Sequence, residues 1–164
     1  SAIAHRHQAR KGSDVPYIIH PVPVAMILMR HNFPEEVIVA ALLHDVVEDT
    51  TVTEGEVREH FGPLVGECVS LLTDAPGASR AERKAGTYAR LSRVTGPAEL
   101  ALVVKVADRL ANVSSCLADQ RHALWEVYRQ EHPAFRSAAY RAGLCEPLWR
   151  ELDTLLDTQP GRIG

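Results

Sequence analysis

The chain lacks the features that place a protein in a bilayer, a disulfide scaffold or a nucleic-acid complex. No apolar run approaches the roughly eighteen residues needed to cross a membrane, and no charged-then-apolar leader opens the sequence. The expectation is a soluble, cytoplasmic protein with no membrane partner. Cys68, Cys116 and Cys145 are odd in number, widely spaced and never form a Cys-x-x-Cys pair, so neither a disulfide framework nor a zinc ribbon is indicated. The net charge of -3 offers a long polyanion no general attraction, which argues against a nucleic-acid polymer as partner. Internal repeats, low-complexity tracts and Gly/Ser linkers are missing, and no segment alternates with period two, which argues against a sheet.

What remains is helical periodicity in a chain of 164 residues, the size of one domain with one core and one site. We expect an all-α domain over residues 1–164, with the part beyond 120 continuing the same bundle. Ser1 to Gln8 reads as the tail of a helix that begins upstream. A loop from Arg10 to Tyr17 leads to His20-Pro21, where the prolines suit the start of a helix reaching Arg30. Pro34, Glu35 and Glu36 open a second helix to about Val47. Thr53-x-x-Glu56 is a capping box for a short helix ending near Phe61-Gly62, and another follows to about Leu72. Asp74 to Ser79 reads as a loop, Arg80 to Val94 as a basic helix and Pro97 to Leu117 as a long apolar one. Two or three helices follow, broken at Pro133 and around Gly143. Trp125, Tyr128 and Trp149 carry no motif and read as packing residues.

Two helices carry polar arcs that solvation alone explains poorly. At about 100° per residue, His44, Asp45, Glu48 and Asp49 fall within an arc of roughly 140°, with Val39, Leu42, Leu43 and Val46 opposite. Ala40 and Ala41 flank that arc and are expected to leave space for a pocket. Three carboxylates beside an imidazole, with no Lys or Arg at i±3 or i±4, call for a cation. In the long apolar helix, Lys105, Asp108, Asn112 and Ser115 share one stripe. Asp108 needs a partner there, and an ion pair with Arg109 or Lys105 is the plain alternative to a ligand role. His20 completes a set of two imidazoles and two carboxylates with His44, Asp45 and Asp108. Such mixed nitrogen and oxygen donors suit a borderline or hard divalent ion such as Mn²⁺.

Five blocks then carry a resemblance: Ala4-His5-x-x-Gln8 with Arg10-Lys11; Pro16-Tyr-Ile-Ile-His-Pro21; Ala41-Leu-Leu-His-Asp-Val-Val-Glu-Asp-Thr50; Ser79-Arg-Ala-Glu-Arg-Lys84; and Lys105-Val-Ala-Asp-Arg-Leu-Ala-Asn112. Together they resemble the HD-domain hydrolases of the RelA/SpoT type, and in particular the stand-alone small alarmone hydrolases. The resemblance implies manganese-dependent hydrolysis of guanosine 3′,5′-bis(diphosphate) and its pentaphosphate, with pyrophosphate released from the 3′ position and no synthesis. It assigns the metal to His20, His44, Asp45 and Asp108, and the handling of the attacking water to Glu48 and Asp49. Arg10 and Lys11 match contacts to nucleobase and phosphates, Asn112 and Ser115 match nucleoside contacts, and Arg80 stands where a basic residue meets the 5′ diphosphate. The chain departs from the pattern in the loop between Lys11 and Pro16, and at His7, where glycine is frequent. Two other readings stay open: an HD hydrolase of a related purine nucleotide such as (p)ppApp, and a module that binds alarmone without turnover.

Overall fold

The computed structural model describes residues 20–158, and the regular elements among them are all helical. In order they are α1 (Pro21–Arg30), α2 (Glu35–Leu43), α3 (Val46–Asp49), α4 (Glu54–Phe61), α5 (Pro63–Leu72), α6 (Arg80–Leu91), α7 (Leu100–Ala118), α8 (His122–Ala139) and α9 (Glu146–Asp157). None of them is long and apolar enough to cross a membrane. Arg10 and Lys11 lie outside the described residues.

α7 is the axis of the bundle because its sequence leaves it no other place. Ala101, Leu102, Val103, Val104, Val106, Ala107 and Val113 are fully buried, and a helix apolar on nearly every side must lie in the interior. α1, α2, α5, α8 and α9 all pack against it. Its buried charged residues, Lys105 and Arg109, must therefore find partners inside the protein. That constraint positions the site.

The capping box of Thr53 with Glu56 forms at α4 as the sequence predicts, and a second one, Ser79 with Glu82, opens α6. Gly62, at φ +89°, turns the chain sharply so that Pro63 can start α5. Trp149 and Phe135 join α9 to α8 with ring centroids 5.4 Å apart, so Trp149 is the packing residue expected. Trp125 is also buried, its indole N–H donating to the Leu155 carbonyl at 3.2 Å.

Four expectations are corrected. The helix from Pro34 does not run unbroken to Val47: α2 stops at Leu43, and Asp45, at φ -100° and ψ -2°, becomes the N-cap of the short α3. Ala40 and Ala41 open no pocket but are fully buried, where small side chains let α2 lie close against its neighbours. α6 ends at Leu91 rather than Val94, where the chain tightens into i→i+3 turns, and the Arg141 guanidinium donates to the carbonyls of Leu91, Ser92 and Val94 at 3.1, 3.3 and 3.2 Å. Pro133 does not break α8, which continues to Ala139. Pro133 is exposed, so the proline ring and the carbonyl it leaves unbonded face solvent while Trp125, Phe135 and Ala138 hold the buried side.

Candidate metal centre

Three chain segments converge beside α7. His20 sits immediately before Pro21 at the head of α1, His44 and Asp45 occupy the break between α2 and α3, and Asp108 projects from the middle of α7. The break aims the His44 ring: Nδ1 lies 2.6 Å from the Ala41 carbonyl, so it carries the proton and Nε2 is left as a donor atom facing inward. His44 Nε2 is 3.1 Å from Asp45 Oδ1 and 3.7 Å from Asp108 Oδ1. His20 Nε2 is 3.1 Å from Asp108 Oδ1 and 3.9 Å from Asp45 Oδ2. His20, His44 and Asp45 each offer one ligand atom, all within 4.8 Å of one another.

The electrostatics of this cluster describe a place for a cation. Burial works against a charge on His44, yet the Asp45 and Asp108 carboxylates outweigh it and push its pKa up to about 10. Burial likewise opposes the charge of Asp108, but the His20 and His44 imidazoles hold it well below the usual carboxylate range. His44 Nε2 is buried and makes no hydrogen bond of acceptable geometry, despite two carboxylate oxygens within 4 Å. A ring nitrogen aimed among carboxylate oxygens without bonding to them fits a shared metal ion better than a hydrogen-bonded ion pair. The alternative partners of Asp108 are ruled out: Lys105 donates to the Leu72 carbonyl and Arg109 pairs with Glu131 at 2.9 Å. Asn112 donates to Asp108 Oδ1 at 2.7 Å, so it orients a candidate ligand from the next turn of α7.

Glu48 and Asp49 stand on α3, one turn beyond His44 and Asp45, and both are exposed. Partial desolvation, helped by the charges of Asp74 and Asp45, raises the pKa of Glu48, while the Asp74 amide and Lys105 pull it back. On the other side of the centre, a cavity of about 510 Å³ opens beside His20, between Met26, Ile27 and Arg30 of α1, Ala111 and Ser115 of α7 and Glu151 of α9. Ser115 thus borders this cavity, and its hydroxyl donates to Asp119 at 3.1 Å.

Arg80 is placed differently from a free phosphate hook. Glu131 holds it in a two-pronged ion pair at 2.7 and 3.1 Å and holds Arg109 at the same time. The Tyr128 ring lies under both guanidiniums, at 5.6 Å from Arg80 and 4.8 Å from Arg109. Burial raises the Tyr128 pKa, and the Asp108 charge adds to it. Tyr128 packs against the core and under these two guanidiniums, in keeping with the packing role expected of it. Asp74, Lys84, Tyr128 and Glu131 were invisible to spacing rules, since each meets its partners only through the tertiary fold.

Comparison with known proteins agrees with the architecture. The family model described as HD domain matches residues 1–145. A guanosine-3′,5′-bis(diphosphate) 3′-pyrophosphohydrolase of Aquifex aeolicus is 32% identical over 85% of this chain, and the chain spans only 20% of that relative's length. The mouse guanosine-3′,5′-bis(diphosphate) 3′-pyrophosphohydrolase MESH1 is 40% identical over 69% of this chain and 63% of its own. A solved metazoan orthologue of SpoT, described as hydrolysing ppGpp and acting in starvation responses, superposes with a TM-score of 0.73 at 29% identity, covering 94% of this chain and 88% of that one. With its all-helical fold and its paired His and Asp residues against α7, the chain belongs to the HD domain family.

Proposed function

We propose that this chain, as one domain, hydrolyses guanosine 3′,5′-bis(diphosphate) and its pentaphosphate, releasing pyrophosphate from the 3′ position. The observation that carries the proposal is the convergence of His20, His44, Asp45 and Asp108, with the Glu48 carboxylate one turn beyond His44 and a nucleoside-sized cavity beside His20. Those four residues would hold the metal, and their mixed nitrogen and oxygen donors suit Mn²⁺. Such an ion, when bound, withdraws charge from phosphoryl oxygens and acidifies water.

The residues of the chain supply the rest. Glu48 accepts a proton from water as its oxygen attacks the phosphorus next to the 3′ oxygen; that ester bond breaks, the 3′ oxygen takes up a proton and pyrophosphate leaves. Asp49, adjacent on α3, assists in orienting the water. Arg80 and, from the N-terminal segment, Arg10 and Lys11 neutralise phosphate charge, while Asn112 and Ser115 orient the nucleoside. Glu151 lines the cavity, and a carboxylate there matches the N1–H and amino donors of guanine, whereas adenine presents an acceptor at N1. That contact favours the guanosine alarmone over (p)ppApp, and the Glu48 base favours turnover over mere binding.

Purified protein assayed with Mn²⁺ on guanosine and adenosine alarmones, with pyrophosphate detection, tests the reading. Release of pyrophosphate from the guanosine 3′ position is expected at a higher kcat/KM than from its adenosine counterpart. Glu151→Gln should narrow that preference. Stoichiometric binding without turnover would establish the non-catalytic module instead.

A further inference from the structure

Glu48 is gripped from a second layer of the fold. Its Oε2 accepts a hydrogen bond from the Asp74 backbone amide at 3.3 Å, across 26 residues of sequence. Asp74 follows α5, and its side chain is tied down in turn. Lys84 Nζ donates to both its oxygens, at 3.0 and 2.7 Å, and the Thr87 hydroxyl lies 3.3 Å from Oδ1. Lys105 Nζ stands 3.8 Å from the same oxygen and donates to the Leu72 carbonyl at 2.7 Å. The neighbouring backbone is fixed as well: Arg90 donates to the Thr73 carbonyl, and the Ala75 amide donates to Thr87 Oγ1 at 2.9 Å.

Charge balance connects this knot to the site. Two ammonium groups face Asp74, and all three side chains are largely shielded, at 18% exposed for Lys84, 10% for Lys105 and 15% for Asp74. Shielded ammonium groups persist only where carboxylates stand near them. Glu48, bonded to the Asp74 amide and within the field of Lys105, is a second carboxylate tied to this knot. A tie that served only the loop would not need its amide pointed at the α3 carboxylate.

We propose that Lys84, acting through Asp74, is a positioning residue that fixes the Glu48 carboxylate in its proton-accepting orientation. The proposal rests on Glu48 being the base, so the test examines both. Lys84→Met, Glu48→Gln, the double variant and Lys84→Arg are compared for kcat, KM on guanosine tetraphosphate, metal content and unfolding midpoint. Lys84→Met should lower kcat about 10- to 100-fold with KM and metal content unchanged. Lys84→Arg should restore most of that loss. In the Glu48→Gln background Lys84→Met should add nothing, because the group it positions is already disabled. If Lys84→Met does not fold, Thr87→Val loosens the same carboxylate more gently and should lower kcat in the same sense.

A raised KM with intact kcat would make Lys84 a phosphate contact and overturn the positioning role. So would a full further loss in the double variant, or a normal kcat in a folded Thr87→Val when Lys84→Met is unfolded. A normal Lys84→Met beside a disabled Glu48→Gln sinks the clamp alone. A Glu48→Gln enzyme active within a few-fold of wild type removes the base, and the clamp's object with it.

Discussion

At the scale of single residues, ligand and base separate by what their removal takes away. His44→Ala or Asp108→Ala should abolish metal binding and activity together, since each deletes one of four converging donors; unchanged metal content in either purified variant would exclude it from the set. Glu48→Gln keeps the shape of the side chain and its bond from the Asp74 amide but removes its basicity. Near-normal metal content and substrate affinity are expected, with kcat down by about two to four orders of magnitude. Metal lost along with activity would make Glu48 a ligand. Arg80 must share itself with Glu131, so it serves affinity rather than chemistry. Arg80→Ala should raise KM for the tetraphosphate and leave kcat within a few-fold, and steady-state kinetics showing the reverse would refute that division. His44, Asp45 and Asp108 stood out in the sequence because their types and spacing conflict with a solvated face, and His20 entered only as the fourth member of the set. The tie of Arg80 to Glu131 was not, because 51 residues separate them.

At the scale of elements, the ends of helices matter more than their middles. Turn chemistry located α1 from its prolines and α4 from its capping box, and it gave no sign of groups brought in from far along the chain. Arg141 is the clearest case: it takes up three carbonyls at the end of α6 from the segment that follows α8. Arg141→Ala should therefore destabilise the protein by about 1 to 3 kcal/mol, as several acceptors lose one donor. Thr53→Ala, which removes only a local cap, should cost about 1 kcal/mol. Urea unfolding of both variants checks the order, and a larger loss from Thr53→Ala would contradict it. The break between α2 and α3 could not be read from periodicity, since Ala40 to Val47 is a good helical sequence throughout. It exists because His44 and Asp45 turn toward partners on α1 and α7.

At the scale of the whole molecule, buried α7 turns its polar side chains into ties between layers, and the ties set the acid stability. Burial opposes the charge of Glu131, but Arg80 and Arg109 outweigh it, so its folded pKa lies below the ordinary 4.5. Asp74 behaves alike: burial opposes its charge, Lys105 and Lys84 prevail, and its pKa lies below 3.8. A carboxylate with a depressed folded pKa stabilises the protein fully above its unfolded value and loses that contribution as pH falls through the folded one. Unfolding free energy should thus fall as pH drops from about 4.5 into the range below 3.8. Glu131→Gln should be less stable than wild type at neutral pH and converge with it in acid. Parallel curves for the two proteins would show that Glu131 contributes no net ion-pair stability.

The sequence by itself determined the helical class, most helix starts, the central apolar helix and the set of two imidazoles and two carboxylates. These follow from local periodicity, capping chemistry and residue types whose charges cannot be left unbalanced. Only the tertiary structure decided that Lys105 and Arg109 turn away from Asp108, that Arg80 leans on Glu131, and that the loop after α5 reaches back to Glu48. Each of those choices joins groups more than 20 residues apart. They were settled by which polar atoms a buried helix could still satisfy, and no local pattern encodes that.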